Sequence, residues 1–220
     1  MPRLRTVLRL ARLAARAGPR PLLLARRAIR DHGALQRTWE LASLVAMVER
    51  LRPRAVLEIG THQGGTLFCW AAVAAPDARL VSVDLPNERE ALGTTQADRA
   101  RFASFLRPGQ SLESLAADSQ LDATRERVVR ALEGRRVDFL WIDADHRLPG
   151  VTRDWELYRP LVRPGGLIGF HDIHPNPYFP ENQVDQLWAR IRGGFRHTEL
   201  IDQDHPGGVG MGIGVLVQPG

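Results

Sequence analysis

Apolar positions change their period along this chain. Up to about residue 51 they recur every three or four residues; beyond it, short apolar runs of strand length alternate with amphipathic helical stretches. Leu4, Val7, Leu8, Ala11 and Ala15 share one helical face, Arg5, Arg9, Arg12 and Arg16 share another, and Gly18-Pro19-Arg20-Pro21 breaks the helix. Further helices are predicted at about 21–31 and 35–51. The apolar run 55–60, ending in Gly60, is the first strand. Strands are then expected at 79–85, 114–119, 137–143 and 167–173, and helices at 96–107, 121–133, 148–162 and 181–192, with Arg163-Pro164-Gly165-Gly166 closing the third of these. Two final runs, 195–201 and 211–218, flank a Gly-rich stretch and read as a hairpin. Such alternation predicts an α/β fold with a mostly parallel sheet, helices on both faces and ligands outside the carboxyl ends of the strands.

Charge divides the chain unevenly. Residues 1–30 hold nine Arg and no acid, which leaves 21 Arg against 25 acids elsewhere, a balance of −4. The net charge of +5 therefore belongs to a basic arm, and a nucleic-acid-binding body is not expected. Residues 1–52 are expected to form a basic helical cap and residues 53–220 the ligand-binding domain. The arm has three readings: a helix packed on the body or on a second subunit, a helix on a membrane surface or anionic partner, and a cleaved targeting segment. Every basic residue is Arg, and Ala and Gly are abundant, which is the usage of a GC-rich bacterial genome. No apolar run reaches about 18 residues, so no transmembrane helix is expected. The single cysteine, Cys69, excludes a disulfide framework and fits a cytoplasmic setting.

"VLEIGTHQGGTLFCWA" (56–71) reads as strand, glycine turn and helix. It lacks the G-x-G-x-x-G of dinucleotide sites, because His62 stands two after Gly60, and it has no Walker-type phosphate loop. Gly64 and Gly65 would let a ligand approach the backbone at the start of a helix. Glu58 lies inside the strand, where a buried carboxylate needs a cation or donors. Asp84 ends the next strand, where an acid can accept ribose hydroxyls. A ligand with a ribose and a positive charge but no pyrophosphate fits these residues, and S-adenosylmethionine fits better than NAD.

A second cluster follows the strand "VDFLWI": Asp143, Asp145 and His146. Charges at the end of a buried strand make sense where a site opens. "LIGFHDI" (167–173) adds His171 and Asp172 in the equivalent place one strand later. Asp145 has no role of its own here and reads as a helix N-cap or a partner of the cluster. His174 reads as solvated, and Tyr178 and Phe179, in a proline-rich loop, as an acceptor-pocket wall or as loop packing. The five Trp read as core.

"VLEIGTHQGGT" followed by "VSVDLP" resembles the first two motifs of class I S-adenosylmethionine-dependent methyltransferases. "VDFLWIDADH" and "DWELYRPLVRPGGLIGFHD" resemble the metal-dependent small-molecule O-methyltransferases, nearest the macrocin O-methyltransferase and cephalosporin-hydroxylase-like branch. The likeness covers about residues 54–218. It implies a Rossmann-like, seven-stranded, mostly parallel sheet with an antiparallel last strand. It implies that Glu58, Gly60, Thr61, Gly64, Gly65, Thr66 and Asp84 hold S-adenosylmethionine, with Asp118 and Ser119 at its adenine. It further implies that Asp143, His171 and Asp172 hold a divalent metal, Mg²⁺ first and Mn²⁺ or Fe²⁺ as alternatives, and that His146 is the general base. His171 departs from the acid usual at its position. It is read as a nitrogen ligand, as pointing away from a two-carboxylate Mg²⁺ site, as a second base, or as a sign that the histidines act without metal. The expected activity is O-methyl transfer to a small-molecule acceptor of sugar or polyketide type, in a protein able to oligomerise through its N-terminal helices. The alternatives are an iron oxygenase or hydroxylase and a non-catalytic cofactor-binding protein.

Overall fold

In the computed structural model, residues 17–86, 93–202 and 211–220 are described. The amphipathic stretch read at 4–16 and most of the loop before the final strand lie outside them.

Helix α1 (Pro19–His32) opens with Pro at its first turn, where no backbone donor is needed, and ends at Gly33 in the left-handed conformation. Helix α2 (Thr38–Leu51) follows. The chain then alternates through β1 (Ala55–Ile59), α3 (Gly65–Val73), β2 (Arg79–Asp84), α4 (Gln96–Phe102), β3 (Ser111–Ala116), α5 (Asp122–Ala131), β4 (Val137–Ile142), α6 (Leu148–Tyr158), β5 (Val162–His174) and α7 (Val184–Ile191). It finishes with β6 (Arg196–Leu200) and β7 (Met211–Val217).

The seven strands lie in the order β3-β2-β1-β4-β5-β7-β6. The first five are parallel, and β7 runs antiparallel between β5 and β6. The expected fold class is therefore the one observed. The order of strands reverses between β1 and β4, and open α/β sheets place ligands at such a switch point.

Alternating side chains of the central strands feed two cores. Val56, Leu80, Phe139, Trp141 and Val215 meet α1, α2 and α3 on one face. Leu57, Val81, Leu140, Ile142 and Leu216 meet α5, α6 and α7 on the other. Burying each large apolar side chain stabilises the fold by about 1.5–3 kcal/mol. Of the five Trp, Trp70, Trp141, Trp155 and Trp188 are buried, and Trp39 is half-buried at the edge of the first core.

Several boundaries differ from the sequence expectation; the helix read at 96–107, for one, ends at Phe102, and a 3₁₀ turn covers 103–105. Strand β3 runs 111–116 rather than 114–119. It is an edge strand paired only with β2, so its exposed face carries polar residues and no continuous apolar run marks its start. Strand β5 starts at Val162, and the Arg163–Gly166 stretch belongs to it; α6 stops at Tyr158 and a short 3₁₀ turn covers 159–161.

Candidate functional site

The ends of β1 and β4 are drawn together by Gly60. Its φ is +87°, and a Cβ there would lie 2.0 Å from the backbone oxygen of Asp143. Only glycine serves in that conformation at that contact. The Gly60 N–H donates to Val83 O at 2.9 Å and the Asp143 N–H to Ile59 O at 2.8 Å, so the glycine turn and Asp143 share one rigid edge.

Gly64 and Gly65 lie against other parts of the protein. A Cβ on Gly64 would strike the Phe102 ring, and one on Gly65 would strike the backbone of Ala34. Protein fills the space that a side chain at either position would need. Gly64 caps α3 at φ +81°. Thr66, in the first turn, donates its hydroxyl to Glu58 Oε1 at 2.6 Å, and Trp70 Nε1 donates to the same oxygen at 2.9 Å. Glu58 is fully buried, and burial lifts its pKa to about 8 against those two donors, so it is protonated at neutral pH. Thr61 shares a hydrogen bond with Ser82 at 2.7 Å.

Asp84 ends β2 as expected and anchors the turn. Its Oδ2 accepts from the Thr61 N–H at 3.1 Å, from the His62 N–H, and from the Thr94 hydroxyl at 2.6 Å. Burial raises its pKa and those donors oppose the rise. Asp118 and Ser119 follow β3. Asp118 Oδ1 accepts from the Gln120 N–H at 2.9 Å, and the carbonyl of buried Ser119 accepts from Tyr158 Oη at 2.6 Å. Behind them Asp154 of α6 is entirely enclosed. Burial, opposed in part by the Ser119 hydroxyl, raises its pKa to about 7.

Asp143, His146, His171 and Asp172 converge at the carboxyl ends of β4 and β5. His146 Nε2 lies 3.5 Å from Asp143 Oδ1 and 3.2 Å from Asp172 Oδ2. His171 Nδ1 lies 3.3 Å from Asp143 Oδ1 and 3.5 Å from Asp172 Oδ2. Neighbouring residues of a regular strand point to opposite faces. Here Asp172 takes φ +59° and the β5–β7 register slips between His171 and His174, so both His171 and Asp172 turn to the same site. Asp tolerates this left-handed conformation better than most residues.

Burial works against ionisation in the cluster, but the ion pairs outweigh it. The positive charge of His171 and the hydrogen bond from His146 hold Asp143 down at about 2. The two carboxylates raise His146 to about 10, and Asp143 and Asp172 raise His171 as well.

Carboxylate oxygens and imidazole nitrogens are donors that divalent cations take. Adjacent ligand atoms on one small cation lie about 2.8–3.8 Å apart for bonds of about 2.0–2.3 Å in octahedral or tetrahedral geometry. The four imidazole–carboxylate separations are 3.2–3.5 Å, but Asp172 falls outside the group whose ligand atoms all approach one another. Ligand atoms of Asp143, His146 and His171 all fall within 4.8 Å of one another. The Nε2 of buried His171 has no hydrogen-bond partner among the described residues.

The structure adds residues that the sequence did not single out. Gln36, between α1 and α2, donates its Nε2 to Asp143 Oδ2 at 2.7 Å across 107 residues of chain. Gln120 Nε2 donates to Asp145 Oδ2 at 3.0 Å, and Arg147 pairs with both oxygens of Asp145 at 3.0 and 2.9 Å. Asp145 is therefore a brace for the 118–120 turn; the N-cap of α6 is Arg147. A cavity of about 500 Å³ opens beside them, lined by Gln120, Asp145, Arg147, Gly150, Glu181 and Gln183. His174 is exposed, as are Tyr178 and Phe179. Among the described residues no helix is long and apolar enough to cross a membrane.

Comparison with known proteins agrees with this architecture. An O-methyltransferase from Bacillus cereus, solved with S-adenosylhomocysteine, superposes with TM-score 0.60 at 18% identity, covering 90% of this chain and 89% of that one. TomG of Streptomyces achromogenes, an O-methyltransferase of tomaymycin synthesis solved with S-adenosylmethionine, gives 0.60 at 19% identity, with 90% and 89% covered. MycE, a methyltransferase of mycinamycin biosynthesis solved with Mg and S-adenosylhomocysteine, gives 0.58 at 15% identity, covering 91% of this chain and 55% of that one. At the sequence level, an uncharacterised protein of Sinorhizobium fredii is 32% identical over 155 residues, which is 66% of this chain but only 16% of that protein's length. The sequence model of the methyltransferase domain family matches residues 57–173, more than half of the chain, from β1 through the bulge of β5: the chain belongs to the methyltransferase domain family.

Proposed function

We propose that this chain transfers a methyl group from S-adenosylmethionine to a hydroxyl of a small molecule, assisted by a divalent cation. The observation that carries the reading is the convergence of Asp143, His146, His171 and Asp172 beside the glycine turn. When bound, the cofactor supplies a sulfonium-activated methyl group and the cation lowers the pKa of the hydroxyl that attacks it. Gly60, Thr61, Gly64, Gly65 and Thr66 form the turn and first helical amides that would receive the cofactor, over the buried Glu58. Asp84, held by the turn through one oxygen, is the residue for the ribose hydroxyls, and Asp118 and Ser119 are those for the adenine. Asp143, His171 and Asp172 are the cation ligands.

His146 is the most accessible of the four, with 39% of its side chain exposed, so it is the one an incoming hydroxyl meets. It accepts the hydroxyl proton on a ring nitrogen. While both carboxylates hold its Nε2 its pKa stays near 10, so it becomes a base at neutral pH only when those carboxylates are otherwise engaged. Much of the remaining work is positioning. A sugar or polyketide-type natural product is the proposed acceptor class.

A second reading has one observation in its favour. Asp143, His146 and His171 are two histidines and a carboxylate within reach of one ion, the ligand set of non-haem iron oxygenases. It leaves Asp84 and the glycine turn without a ligand.

Calorimetric titration of S-adenosylmethionine into chelator-treated protein, repeated with Mg²⁺, Mn²⁺ and Fe²⁺, separates the two. Micromolar cofactor binding, with a cation effect that disappears in Asp143→Ala, supports methyl transfer. Tight Fe²⁺ binding without any cofactor binding sinks it in favour of the oxygenase.

A further inference from the structure

The connector between α1 and α2 touches both halves of the site. Gly33 packs against the side chain of Gln63, and the backbone of Ala34 fills the space beside Gly65, both at the glycine turn. Two residues on, Gln36 reaches Asp143 in the acid–histidine cluster.

This connector is fixed from the other side as well. Arg37 Nη1 donates to Asp202 O at 3.3 Å, and Glu40, fully buried in α2, accepts from the N–H of Asp202 at 2.8 Å and of Gly212 at 3.3 Å. Gln36 is only 6% exposed. Its carboxamide orientation follows from chemistry: an ionised carboxylate only accepts, so Nε2 faces Asp143. That leaves Oε1 buried, with no hydrogen-bond partner among the described residues. An acceptor oxygen so placed costs about 1–3 kcal/mol unless something donates to it.

We propose that Gln36 is a positioning residue of the cation site, a role that rests on the cation-assisted reading above. Its Nε2 occupies Asp143 Oδ2, so that Oδ1 alone turns toward His146 and His171. Its Oε1 receives the hydrogen of the hydroxyl, water's or acceptor's, that enters the cluster. A residue of the helical cap thereby makes cation affinity depend on the docked cap. Partners of this kind, one bond removed from the metal, are worth about 10–100-fold in metal affinity.

The test uses Mn²⁺ alone as the probe, titrated calorimetrically into chelator-treated full-length protein, with S-adenosylhomocysteine titrated separately. In Gln36→Met, which keeps the volume and removes both polar groups, the Mn²⁺ Kd is expected to rise by about 10–100-fold while S-adenosylhomocysteine affinity stays within about twofold. A purely structural role for Gln36 moves neither constant, and an unchanged Mn²⁺ Kd overturns the proposal. Wild-type protein that binds S-adenosylhomocysteine but no Mn²⁺ also overturns it and leaves the cofactor reading standing; binding of neither removes both. Should the variant fail to fold, hydrogen exchange on the wild type decides. Amides of residues 33–40 are expected to exchange more slowly with Mn²⁺ bound, and unchanged exchange while Mn²⁺ binds counts against the proposal.

Discussion

Replacing Asp154 by Asn should stabilise the protein at alkaline pH and much less at acid pH. Asp154 lies on α6 with no exposure, behind the turn that carries Asp118 and Ser119. Its pKa is about 7 in the fold, against an ordinary value of 3.8. The acid is raised on folding, so the native state holds the proton more tightly than the unfolded chain does. Stability is therefore undiminished below pH 4, falls as pH climbs from about 4 to 7, and levels off above. Three pKa units correspond to about 4 kcal/mol in full, of which about 2–3 kcal/mol develops between pH 5 and pH 8 by the same linkage. Asn has the same shape and does not titrate. Urea unfolding of both proteins at pH 5 and pH 8 isolates the term: the advantage of the Asn variant should grow by that amount over the interval. An advantage that is the same at both pH values would refute a carboxyl enclosed in its neutral form.

Three further outcomes are expected. Glu58→Gln should unfold within about 1 kcal/mol of wild type at pH 7, because the acid is already neutral there and Gln keeps the acceptor for Thr66 and Trp70, whereas Glu58→Ala should cost about 2–4 kcal/mol by orphaning both donors; thermal unfolding of the pair checks it. Gly60→Ala should displace the edge shared by β1 and β4 and abolish Mn²⁺ binding, since its Cβ collides with Asp143 at a left-handed φ; Mn²⁺ calorimetry beside circular dichroism distinguishes this from unfolding. Mn²⁺ uptake at pH 7 should release about one proton, because the carboxylates that would bind the cation hold His146 protonated with a pKa of about 10, and affinity should rise with pH; titrations in buffers of different ionisation enthalpy count it.

Sequence pattern captured the sheet best where strands are buried on both faces. The runs in β1 and β4 are nearly continuous and apolar, and Glu58 inside β1, Asp84 at the end of β2 and Asp143 just past β4 fall where the sequence reading puts them. It did less well at the edge, where β3 alternates polar and apolar residues and its first turn of pattern is indistinct. The glycine turn was legible as a turn, but what crowds it was not: Phe102 and Ala34 arrive from distant elements. His171 and Asp172 are adjacent residues that strict strand alternation sends apart, and only the bulge in β5 reconciles them. Gln36 had no local signal. A lone glutamine ahead of a helix gains meaning only when tertiary packing sets it against Asp143.

The Glu40 contacts also bear on how the molecule is made. The ribosome adds Gly212, whose N–H closes this network, 172 residues after Glu40. Contacts between such distant segments pay for loop closure before any reward arrives, and so tend to form late. The parallel strands from β1 to β5 can pair while the connector ahead of α2 is still loosely held. The Gly212 contact is added only when β7 has taken its place between β5 and β6. A chain lacking that strand would hold all of residues 57–173, the stretch shared with the methyltransferase domain family, yet lack the Gly212 bond to Glu40 beside the connector.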